Sequence, residues 1–497
     1  MGKVYIGGAG PGDTGLVTYK CLEIIKKADV IIYDFLANKD LLLYAKKEAE
    51  TIYVGKKGSC HEMEQEEINE LILRKAKEHR IVLRLKGGDP FIFGRGGEEA
   101  EFLRKNGVPY EIIPGVTSAI SAPAYAGIPL TYRNISSVVV FVTGHEAQGK
   151  ETSSIDWKTL ATFKGTLVFL MGMKNLSSIK ENLLREGKDP ATRVCVIQWG
   201  TMPKQKVLVS TLQNVEEDVK TASMGPPAVI VIGDVIELRE KLLWFENLPL
   251  FGKKIVVTRP YEQSFEIAEM LKEKGADVSI LPTIKIVPII PNESLDRAIE
   301  SIDSYYGVIF TSQNGARIFF ERLFEKGFDS RNLHGVKVFA IGPSTAKEVR
   351  SYGIKAEFIP EKFLSEGIVE VLSGMELKGK RFLLPRAYKA RDTIPRFIES
   401  YGGKCEIVAL YKTEIPEKKE KIEEEPDMVV FTSSSTVKNF LQMYGSDILH
   451  RTNVASIGPV TSKTLTDLKI KVSVEAKRHD IKGLVEAIEE FFCETCS

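Results

Sequence analysis

Three segments in the second half of the chain recur, in the same order, about 120 residues further along. The pairs are GKKIVVTRP (252–260) with GKRFLLPRA (379–387), VIFTSQNGARIFFERL (308–323) with VVFTSSSTVKNFLQMY (429–444), and VFAIGPSTAKEV (338–349) with VASIGPVTSKTL (454–465). All three pairs contain a strand-like apolar run. In the second and third pairs, this run is followed by Ser, Thr or Gly at the start of a helix-like stretch. The repeat therefore predicts two similar open-sheet α/β lobes.

Hydroxyl groups at those helix starts are candidate ligands. Ser and Thr favour helix N-caps on their own account, so one such motif needs no further explanation. Four of them, paired in order in two lobes, favour a single concave anion-binding site lined by backbone N–H and hydroxyl groups. The candidates are Ser312, Thr345, Ser433 and Thr461, and we expect Thr345 and Thr461 to cap their helices as well.

The first half begins with a G-x-G-x-x-G spacing at Gly10, Gly12 and Gly15, after the apolar run 4–6. Asp34 ends a second apolar run further along. This order of strand, glycine turn, helix, strand and acid is that of a dinucleotide site. An NAD-dependent oxidoreductase is therefore one interpretation of the first half.

The chemistry of the same loop favours a different ligand. Pro11 lacks the N–H that would bind a phosphate, and Asp13 adds a negative charge where a diphosphate would lie. The helical pattern also begins several residues after Gly15, too late for that glycine to pack a helix on the strand. A ligand without phosphates fits this loop better.

Composition limits the class of protein. The 497 residues exceed the roughly 250–300 that one hydrophobic core supports, so at least two domains are expected. A formal net charge of +1 excludes a generally basic nucleic-acid-binding protein. Apolar runs are shorter than the ~20 residues of a membrane span, and strand-like sequence begins without a secretory leader. The six cysteines are scattered, and the Cys493/Cys496 pair is read as incidental, so a reduced, cytoplasmic protein is expected.

A break in the pattern separates the two halves. An amphipathic stretch ends before ENLPLFGKK (246–254), and a new strand follows it. Alternating strands and helices, followed by a strand-rich part, predict two α/β lobes in the first half. The predicted segments are 1–245, with lobes of about 1–130 and 136–245, a linker at 246–251, and 252–497. Predicted strands of the first lobe lie near 3–8, 30–33, 51–54, 81–85 and 110–113, and its helices include 64–79 and 97–106.

Six motifs of the first half occur in an order that resembles the tetrapyrrole methyltransferase family, specifically uroporphyrinogen-III C-methyltransferase. They are VYIGGAGPGD, VIIYDFL, VGKK, RLKGGDPFIFGRGGEE, PGVTSAISAPAYAGIPLTYR and LMGM, within about residues 3–245. The resemblance implies a two-lobed methylase fold with S-adenosyl-L-methionine in the cleft, held largely by main-chain atoms. One departure is Tyr132, where related sequences commonly have His.

Residue roles follow by matching motif to motif. Asp34 and Lys56 match the proton acceptor and the proton donor. A methylated pyrrole ring must lose a proton to a nearby base, which suits a carboxylate. Without the resemblance, Asp34 is equally well explained as a helix cap. Arg95 and Arg133 are the implied substrate contacts. The implied cofactor contacts are Pro11, Gly87, Gly88, Asp89, Ile92, Thr117, Ser118, Met171, Gly200 and Ala228.

The second half resembles uroporphyrinogen-III synthase across roughly 252–492. The motifs are TRP, FTSQNGAR, AIGPSTA, LSEGIVEVL, LLPRAYKARDTIP, ALYKT, FTSSSTVKNF and SIGPVTS. The resemblance implies a duplicated two-lobed open parallel-sheet fold, with lobes of about 252–287 plus 415–497 and 290–411, around the linear substrate hydroxymethylbilane. Tyr411 is nominated as proton donor to the leaving hydroxyl, and a strand-end aromatic without a catalytic role is the alternative.

Together the resemblances imply a bifunctional enzyme of sirohaem and cobalamin biosynthesis. The second half would make uroporphyrinogen III with ring D inverted, and the first half would transfer two methyl groups to give precorrin-2. Because the synthase motifs show ligand contacts rather than reactive groups, a non-catalytic tetrapyrrole-binding module is the alternative for the second half. The expected partners are small-molecule tetrapyrroles, with no nucleic acid, membrane or metal. A homodimer is expected through the methyltransferase half.

Overall fold

A computed structural model describes residues 1–55, 63–144, 154–417, 421–422 and 424–495 of the chain. The chain divides into two compact units. One consists of Met1–Ile255, Glu269–Val278 and Glu489–Ser497, and the other of Val256–Ala268 and Ser279–Ile488. The finer domain and lobe boundaries expected from the sequence stay predictions. Among the described residues, each helix is too short or too polar to cross a lipid bilayer.

The first unit begins with a five-stranded parallel sheet. Its strands are β1 (Lys3–Gly8), β2 (Val30–Tyr33), β3 (Glu50–Tyr53), β4 (Ile81–Lys86) and β5 (Tyr110–Ile113). They lie in the order β3-β2-β4-β1-β5, and every pair is parallel. Their carboxyl ends, with the loops that follow them, therefore meet at one edge of the sheet.

Helices cover both faces of this first sheet. Successive side chains of a strand point to opposite faces. Ile32 is buried in one core with Ile72, whereas its neighbour Ile31 is buried in another core with Ile25. Strand β2, with the sequence VIIY, is consequently apolar along its whole length, as is typical of parallel sheets. The helices of this part are α1 (Tyr19–Lys27), α2 (Gln65–Glu78), α3 (Gly96–Lys105) and α4 (Ser118–Tyr125).

A second five-stranded sheet follows in the same unit. Its strands are β6 (Val139–Thr143), β7 (Thr166–Leu170), β8 (Arg193–Gln198), β9 (Lys206–Thr211) and β10 (Ala228–Ile232). The order is β6-β7-β10-β8-β9, with β6 and β7 parallel and the other pairs antiparallel. Because β10 runs against both neighbours, its first residue lies at the edge where β7 and β8 end. The helices here are α5 (Trp157–Thr162), α6 (Leu176–Arg185), α7 (Val215–Thr221) and α8 (Arg239–Leu242).

Ten further strands form two more five-stranded sheets. They are β11 (Lys254–Val257), β12 (Asp277–Ile280), β13 (Lys285–Pro288), β14 (Gly307–Phe310), β15 (Lys337–Ala340), β16 (Arg381–Ala387), β17 (Lys404–Glu414), β18 (Met428–Phe431), β19 (Asn453–Ser456) and β20 (Val474–Glu475). The orders are β12-β11-β18-β19-β20 and β13-β17-β16-β14-β15. The predicted open-sheet class is confirmed, although β13 runs antiparallel to β17.

The helices of the second half show the predicted duplication. They are α9 (Tyr261–Glu273), α10 (Glu293–Glu300), α11 (Gln313–Glu325), α12 (Pro343–Ser351), α13 (Ser365–Ser373), α14 (Thr393–Ser400), α15 (Ser434–Tyr444), α16 (Asp447–Arg451), α17 (Pro459–Asp467) and α18 (Ile481–Thr495). The order β14, α11, β15, α12 recurs as β18, α15, β19, α17, with α16 as an insertion. In both copies, hydroxyl-bearing motifs follow the carboxyl end of a parallel strand.

Candidate functional site

Two glycine loops meet at the carboxyl edge of the first sheet. The N–H of Gly10 donates to the carbonyl of Gly88 at 3.2 Å, and the N–H of Gly88 donates to the carbonyl of Gly10 at 2.7 Å. The segment 114–118, which joins β5 to the first residue of α4, adjoins them, since a Cβ at Gly115 would lie 2.3 Å from the carbonyl oxygen of Gly88. A side chain at Gly115 would not fit here, so main-chain atoms of these loops lie directly against one another.

This cradle fits a ligand that is held through the main chain, as the resemblance implies for S-adenosyl-L-methionine. Gly88 has φ +66°, a conformation that side-chain-bearing residues rarely adopt. A Cβ there would meet no atom outside its chain neighbours closer than 3.9 Å, so space lies open beside this backbone. Six predicted cofactor contacts belong to these loops: Pro11, Gly87, Gly88, Asp89, Thr117 and Ser118.

The carboxylate of Asp89 is engaged inside the protein. One oxygen accepts hydrogen bonds from the N–H groups of Phe91 at 2.7 Å and Ile92 at 3.1 Å, and the other accepts from Gly115 at 2.9 Å. The side chain thus shapes its own loop and joins it to the loop after β5. A contact from Asp89 to a ligand would therefore use the main chain. Ile92, another predicted contact, is partly exposed beside it.

Three more predicted contacts lie at one edge of the second sheet. Met171 follows β7, Gly200 lies in the loop after β8, and Ala228 begins β10. A Cβ at Gly200 would lie 2.4 Å from the Cβ of Ala122 in α4, so this loop packs closely on that helix. Met171 has φ +56°, a conformation that costs a non-glycine residue about 1–3 kcal/mol. Strain of this kind clusters at functional sites.

The loop after β8 also contacts the first sheet. The N–H of Asp13 donates to Oγ1 of Thr201 at 3.2 Å, and the rings of Phe35 and Trp199 meet edge-on with centroids 6.2 Å apart. Trp199 has φ +52° and Thr201 has φ +72°, so this loop is strained as well. The predicted cofactor contacts of the two sheets are thereby brought to adjoining edges.

The glycine fingerprint does not form a dinucleotide site. Asp13 accepts hydrogen bonds from the Tyr125 hydroxyl at 2.6 Å and from the N–H of Gly15 at 2.8 Å. As expected from the sequence, α1 begins late, at Tyr19, and the Thr18 hydroxyl caps it by accepting from the N–H of Cys21 at 3.3 Å. No free helix N-terminus therefore follows the glycine turn in this described segment, and a carboxylate occupies the turn instead.

Asp34 follows β2 and lies against the Gly87 loop. Its Oδ1 accepts from the N–H of Gly87 at 3.3 Å and from the N–H groups of Leu36 and Ala37 at 3.2 and 3.3 Å. Its Oδ2 accepts from Nη2 of Arg84 at 3.3 Å. Asp34 therefore closes a turn, and the same carboxylate contacts a predicted cofactor loop. Its predicted partner, Lys56, lies outside the described residues.

The two predicted substrate arginines lie on exposed segments. Arg95 precedes α3 with φ +57° and pairs with Glu98 at 2.6 Å. Arg133 lies in the exposed turn between α4 and β6, where the N–H of Tyr132 donates to the carbonyl of Ser136 at 2.9 Å. Both side chains can reach solvent, and their roles stay predictions.

In the second half, two separately predicted residues meet. The hydroxyls of Ser312 and Tyr411 are hydrogen-bonded at 2.9 Å, although they lie 99 residues apart in the chain. Ser312 also caps α11, because its Oγ accepts from the N–H of Gly315 at 3.0 Å. Tyr411 is buried, and burial raises the pKa of its hydroxyl. Asn314, absent from the sequence-based candidates, is a polar neighbour of Tyr411 and partly opposes this rise in pKa.

The predicted helix caps are wrong at two positions. The N-caps of α12 and α17 are Gly342 and Gly458, and neither helix has a side-chain cap. Thr345 and Thr461 lie within the first turns and are buried. Ser433, in contrast, does cap α15 by accepting from the N–H of Thr436 at 3.3 Å. The proposed ligand roles of these hydroxyls stay predictions.

Three buried charged residues beside the first sheet's edge are absent from the sequence-based candidates. Arg84 and Lys86 of β4 both pair with Glu99 of α3, at 3.2 and 2.8 Å. The sequence contained a signal for this group, since charged residues in an apolar strand are seldom buried unless they are paired.

In the described part of the chain, no group of three His, Cys, Asp or Glu side chains could hold a metal ion.

Family models match both halves of the chain. The model described as Tetrapyrrole (Corrin/Porphyrin) Methylases matches residues 3–216, and Uroporphyrinogen-III synthase HemD matches residues 266–486. The porphyrin biosynthesis protein HemD of Ruminiclostridium josui is 38% identical, and the alignment covers 98% of both chains. The S-adenosyl-L-methionine-dependent uroporphyrinogen III methyltransferase of Methanosarcina barkeri (strain Fusaro) is 50% identical over 48% of this chain and 94% of its own.

A solved structure is also similar to the first half. The uroporphyrin-III C-methyl transferase from Thermus thermophilus, complexed with S-adenyl homocysteine, is 40% identical, with a TM-score of 0.42. The match covers 48% of this chain and 100% of that one.

The resemblances stated from the motifs are thus confirmed in both halves, and the dehydrogenase interpretation finds no support among these matches. Because one relative aligns along 98% of the chain, the two halves belong together in a single enzyme. The chain belongs to the family of the porphyrin biosynthesis protein HemD, in which a tetrapyrrole methylase is fused to a uroporphyrinogen-III synthase.

Proposed function

We propose that this chain closes hydroxymethylbilane to uroporphyrinogen III with ring D inverted, and then adds two methyl groups to give precorrin-2. The broader assignment follows from the family: an S-adenosyl-L-methionine-dependent methyltransferase and a synthase of tetrapyrrole biosynthesis. One observation carries the methylase proposal. The Asp34 carboxylate accepts a hydrogen bond from the N–H of Gly87 at 3.3 Å, which sets a base beside the predicted cofactor loop.

For methyl transfer, the chain must hold two ligands and accept a proton. S-adenosyl-L-methionine supplies an electrophilic methyl group when it is bound. The glycine loops offer main-chain atoms to it, without the array of free N–H groups that a phosphate needs. Leu36, Phe91 and Phe93 expose apolar side chains in neighbouring loops, which suits a ring system. Asp34, partly exposed, accepts the proton that the methylated ring must lose.

For ring closure, the chain must bend the substrate and help its hydroxyl leave. Tyr411 is the proposed proton donor: a tyrosine hydroxyl carries its proton at neutral pH, although the burial that raises its pKa also makes it a weaker acid. The Ser312 hydroxyl, 2.9 Å away, fixes its direction. Hydroxyl and N–H groups at the helix starts hold the substrate carboxylates, and this positioning accounts for most of the catalysis.

Product analysis of the full chain tests the proposal. Hydroxymethylbilane alone should give uroporphyrinogen III, and added S-adenosyl-L-methionine should convert it to a doubly methylated product, identified by mass and absorbance. Formation of only the isomer without ring inversion would favour a non-catalytic binding module in the second half. The expected homodimer through the methyltransferase half and the cytoplasmic location stay predictions.

Tyr411→Phe should slow ring closure by about tenfold or more, with methyl transfer to supplied uroporphyrinogen III unchanged. The effect is smaller than for many general acids because the substrate's hydroxyl leaves readily by itself. Steady-state assays of both reactions measure it. Tyr305→Phe is the matched control, since Tyr305 is also buried and its hydroxyl donates to Glu406 at 2.6 Å. Equal rates for both variants and wild type would leave Tyr411 a packing residue.

Thr345→Ala and Thr461→Ala should each weaken hydroxymethylbilane binding by about ten- to a hundredfold, the value of one hydrogen bond to a charged group. The free energy of unfolding should fall only by the ~1 kcal/mol of one buried methyl group, because neither hydroxyl caps its helix. Asn292→Ala, which removes a true cap contact to the N–H of Leu295 at 3.1 Å, provides the opposite pattern as a control. A lowered melting temperature with unchanged affinity at both threonines would contradict the ligand role.

A further inference from the structure

Four charged side chains form a connected group beneath the carboxyl edge of the first sheet. Glu99, in the first turn of α3, accepts from Nε of Arg84 at 3.2 Å and from Nζ of Lys86 at 2.8 Å. Arg84 also donates through Nη2 to Oδ2 of Asp34 at 3.3 Å. The Glu99 side chain is 0% exposed, whereas that of Asp34 is 26% exposed. The group therefore runs from the protein interior to the candidate base.

Arg84 has little freedom to rearrange within this group. Its Nη1 donates to the carbonyls of Ile32 at 3.4 Å and Leu85 at 3.2 Å, and its side chain is buried. A guanidinium is planar, so these two bonds and the bond from Nε to Glu99 fix the direction of Nη2. Glu99 therefore acts on Oδ2 of Asp34 through Arg84 without touching it, while backbone N–H groups hold Oδ1.

Packing alone does not explain why a charged side chain is buried at position 99. Burying a carboxylate is costly unless it is paired, and here one oxygen also accepts from Nε2 of Gln65 at 3.2 Å. Its other oxygen has no hydrogen-bond partner among the described residues. Burial and the neighbouring Arg84 lower the pKa of Lys86, and Glu99 opposes both effects. The group thus contains two cations and two carboxylates, and removing the carboxylate at position 99 leaves an excess positive charge.

We propose that Glu99 is a positioning residue for methyl transfer, which fixes Arg84 and balances its charge so that Asp34 can accept the proton. This inference rests on the proposed role of Asp34. Without a carboxylate at position 99, Asp34 is the one carboxylate among the described residues that pairs with Arg84, and this undivided ion pair through Oδ2 opposes protonation of Asp34. Cofactor binding uses other residues, so the defect should fall on kcat.

A double-mutant cycle tests this proposal in the full chain. Glu99→Gln should lower kcat for methyl transfer by about tenfold, within the range of coupling energies in one charged network. In an Asp34→Asn background, Glu99→Gln should change kcat by less than about twofold, because its effect passes through Asp34. The KM for S-adenosyl-L-methionine and the calorimetric affinity for S-adenosylhomocysteine should stay close to wild type. The S-adenosylhomocysteine affinity also reports that the methylase half is folded, and ring closure reports the same for the second half.

Two further variants complete the experiment, one as a control and one as a replacement if Glu99→Gln does not fold. Glu101→Gln, an exposed partner of Lys105 on the same helix, should leave every quantity unchanged. If Glu99→Gln does not fold, Glu99→Asp enters the same cycle: it keeps the charge but shortens the side chain that holds Nε of Arg84, so a loss of kcat is again expected only when Asp34 is present. Equal losses from the position 99 variant in both backgrounds, or no loss of kcat, would overturn the inference. Full activity of Asp34→Asn alone would instead overturn the proposed base, and a remaining loss from Glu99→Gln would then show an action that bypasses Asp34.

Discussion

Gly88→Arg should weaken S-adenosylhomocysteine binding at least about a hundredfold, equivalent to ~2.7 kcal/mol, and abolish methyl transfer. The reason lies in the cradle: a Cβ at Gly88 meets nothing closer than 3.9 Å, so a long side chain there enters the open space that the ligand needs. Ring closure by the second half should continue at the wild-type rate. Calorimetric titration and parallel assays of both reactions measure the two effects.

Gly88→Ala separates filling of the cradle from backbone strain. Both variants force a side-chain-bearing residue to φ +66°, at a cost of about 1–2 kcal/mol. Both should therefore lower the melting temperature, but only arginine should prevent ligand binding. If alanine abolishes binding as fully as arginine, strain in the loop is the cause. Undiminished binding by Gly88→Arg would remove the cofactor site from these loops.

Asp34→Asn should slow methyl transfer by about 10²–10⁴-fold, the usual contribution of a general base. The amide keeps the shape of the side chain and can still accept from the N–H groups of Gly87 and Ala37 through one oxygen. It cannot take up the proton from the methylated ring. S-adenosylhomocysteine affinity and ring closure should stay close to wild type, since neither needs this base.

Asp156→Asn supplies the matched control for loss of a capping carboxylate. Asp156 caps α5 by accepting from the N–H of Thr159 at 3.0 Å, in the same half of the chain. This variant should leave both the melting temperature and the rate of methyl transfer close to wild type, because Asn caps a helix about as well as Asp. If Asp34→Asn behaves in the same way, Asp34 only closes its turn.

Local sequence pattern was sufficient for the secondary structure of the first lobe. The strands expected at 3–8, 30–33 and 110–113 are observed at those residues, and α2 runs from Gln65 to Glu78 where 64–79 was expected. Apolar runs and glycine turns act over a few residues, so their periodicity is readable without knowledge of distant contacts. Pro11 and Asp13 likewise argued against phosphate binding from their chemistry alone.

The capping residue of a helix is harder to predict from the local sequence pattern. The motifs GPST and GPVT place a helix start correctly, but the capping residue depends on the backbone angles just before the helix. Gly342 is extended there, with φ −173°, and it takes the N-cap position ahead of Thr345. The same hydroxyl chemistry caps at Ser312 and Ser433, where the serine itself holds the extended conformation.

By itself, the sequence determined the chemistry available to this protein. It contains a glycine loop that is unsuited to binding phosphate, a duplicated set of hydroxyl motifs, and the motifs of two enzyme families, one after the other along the chain. Only the tertiary structure decided which of those groups meet. Gly10 and Gly88 bond across neighbouring strands, Ser312 reaches Tyr411 from 99 residues away, and Arg84 joins Asp34 to the buried Glu99. Such pairings depend on strand order and on which charges the core can bury, and both are set by packing over the whole sheet rather than by neighbours along the chain.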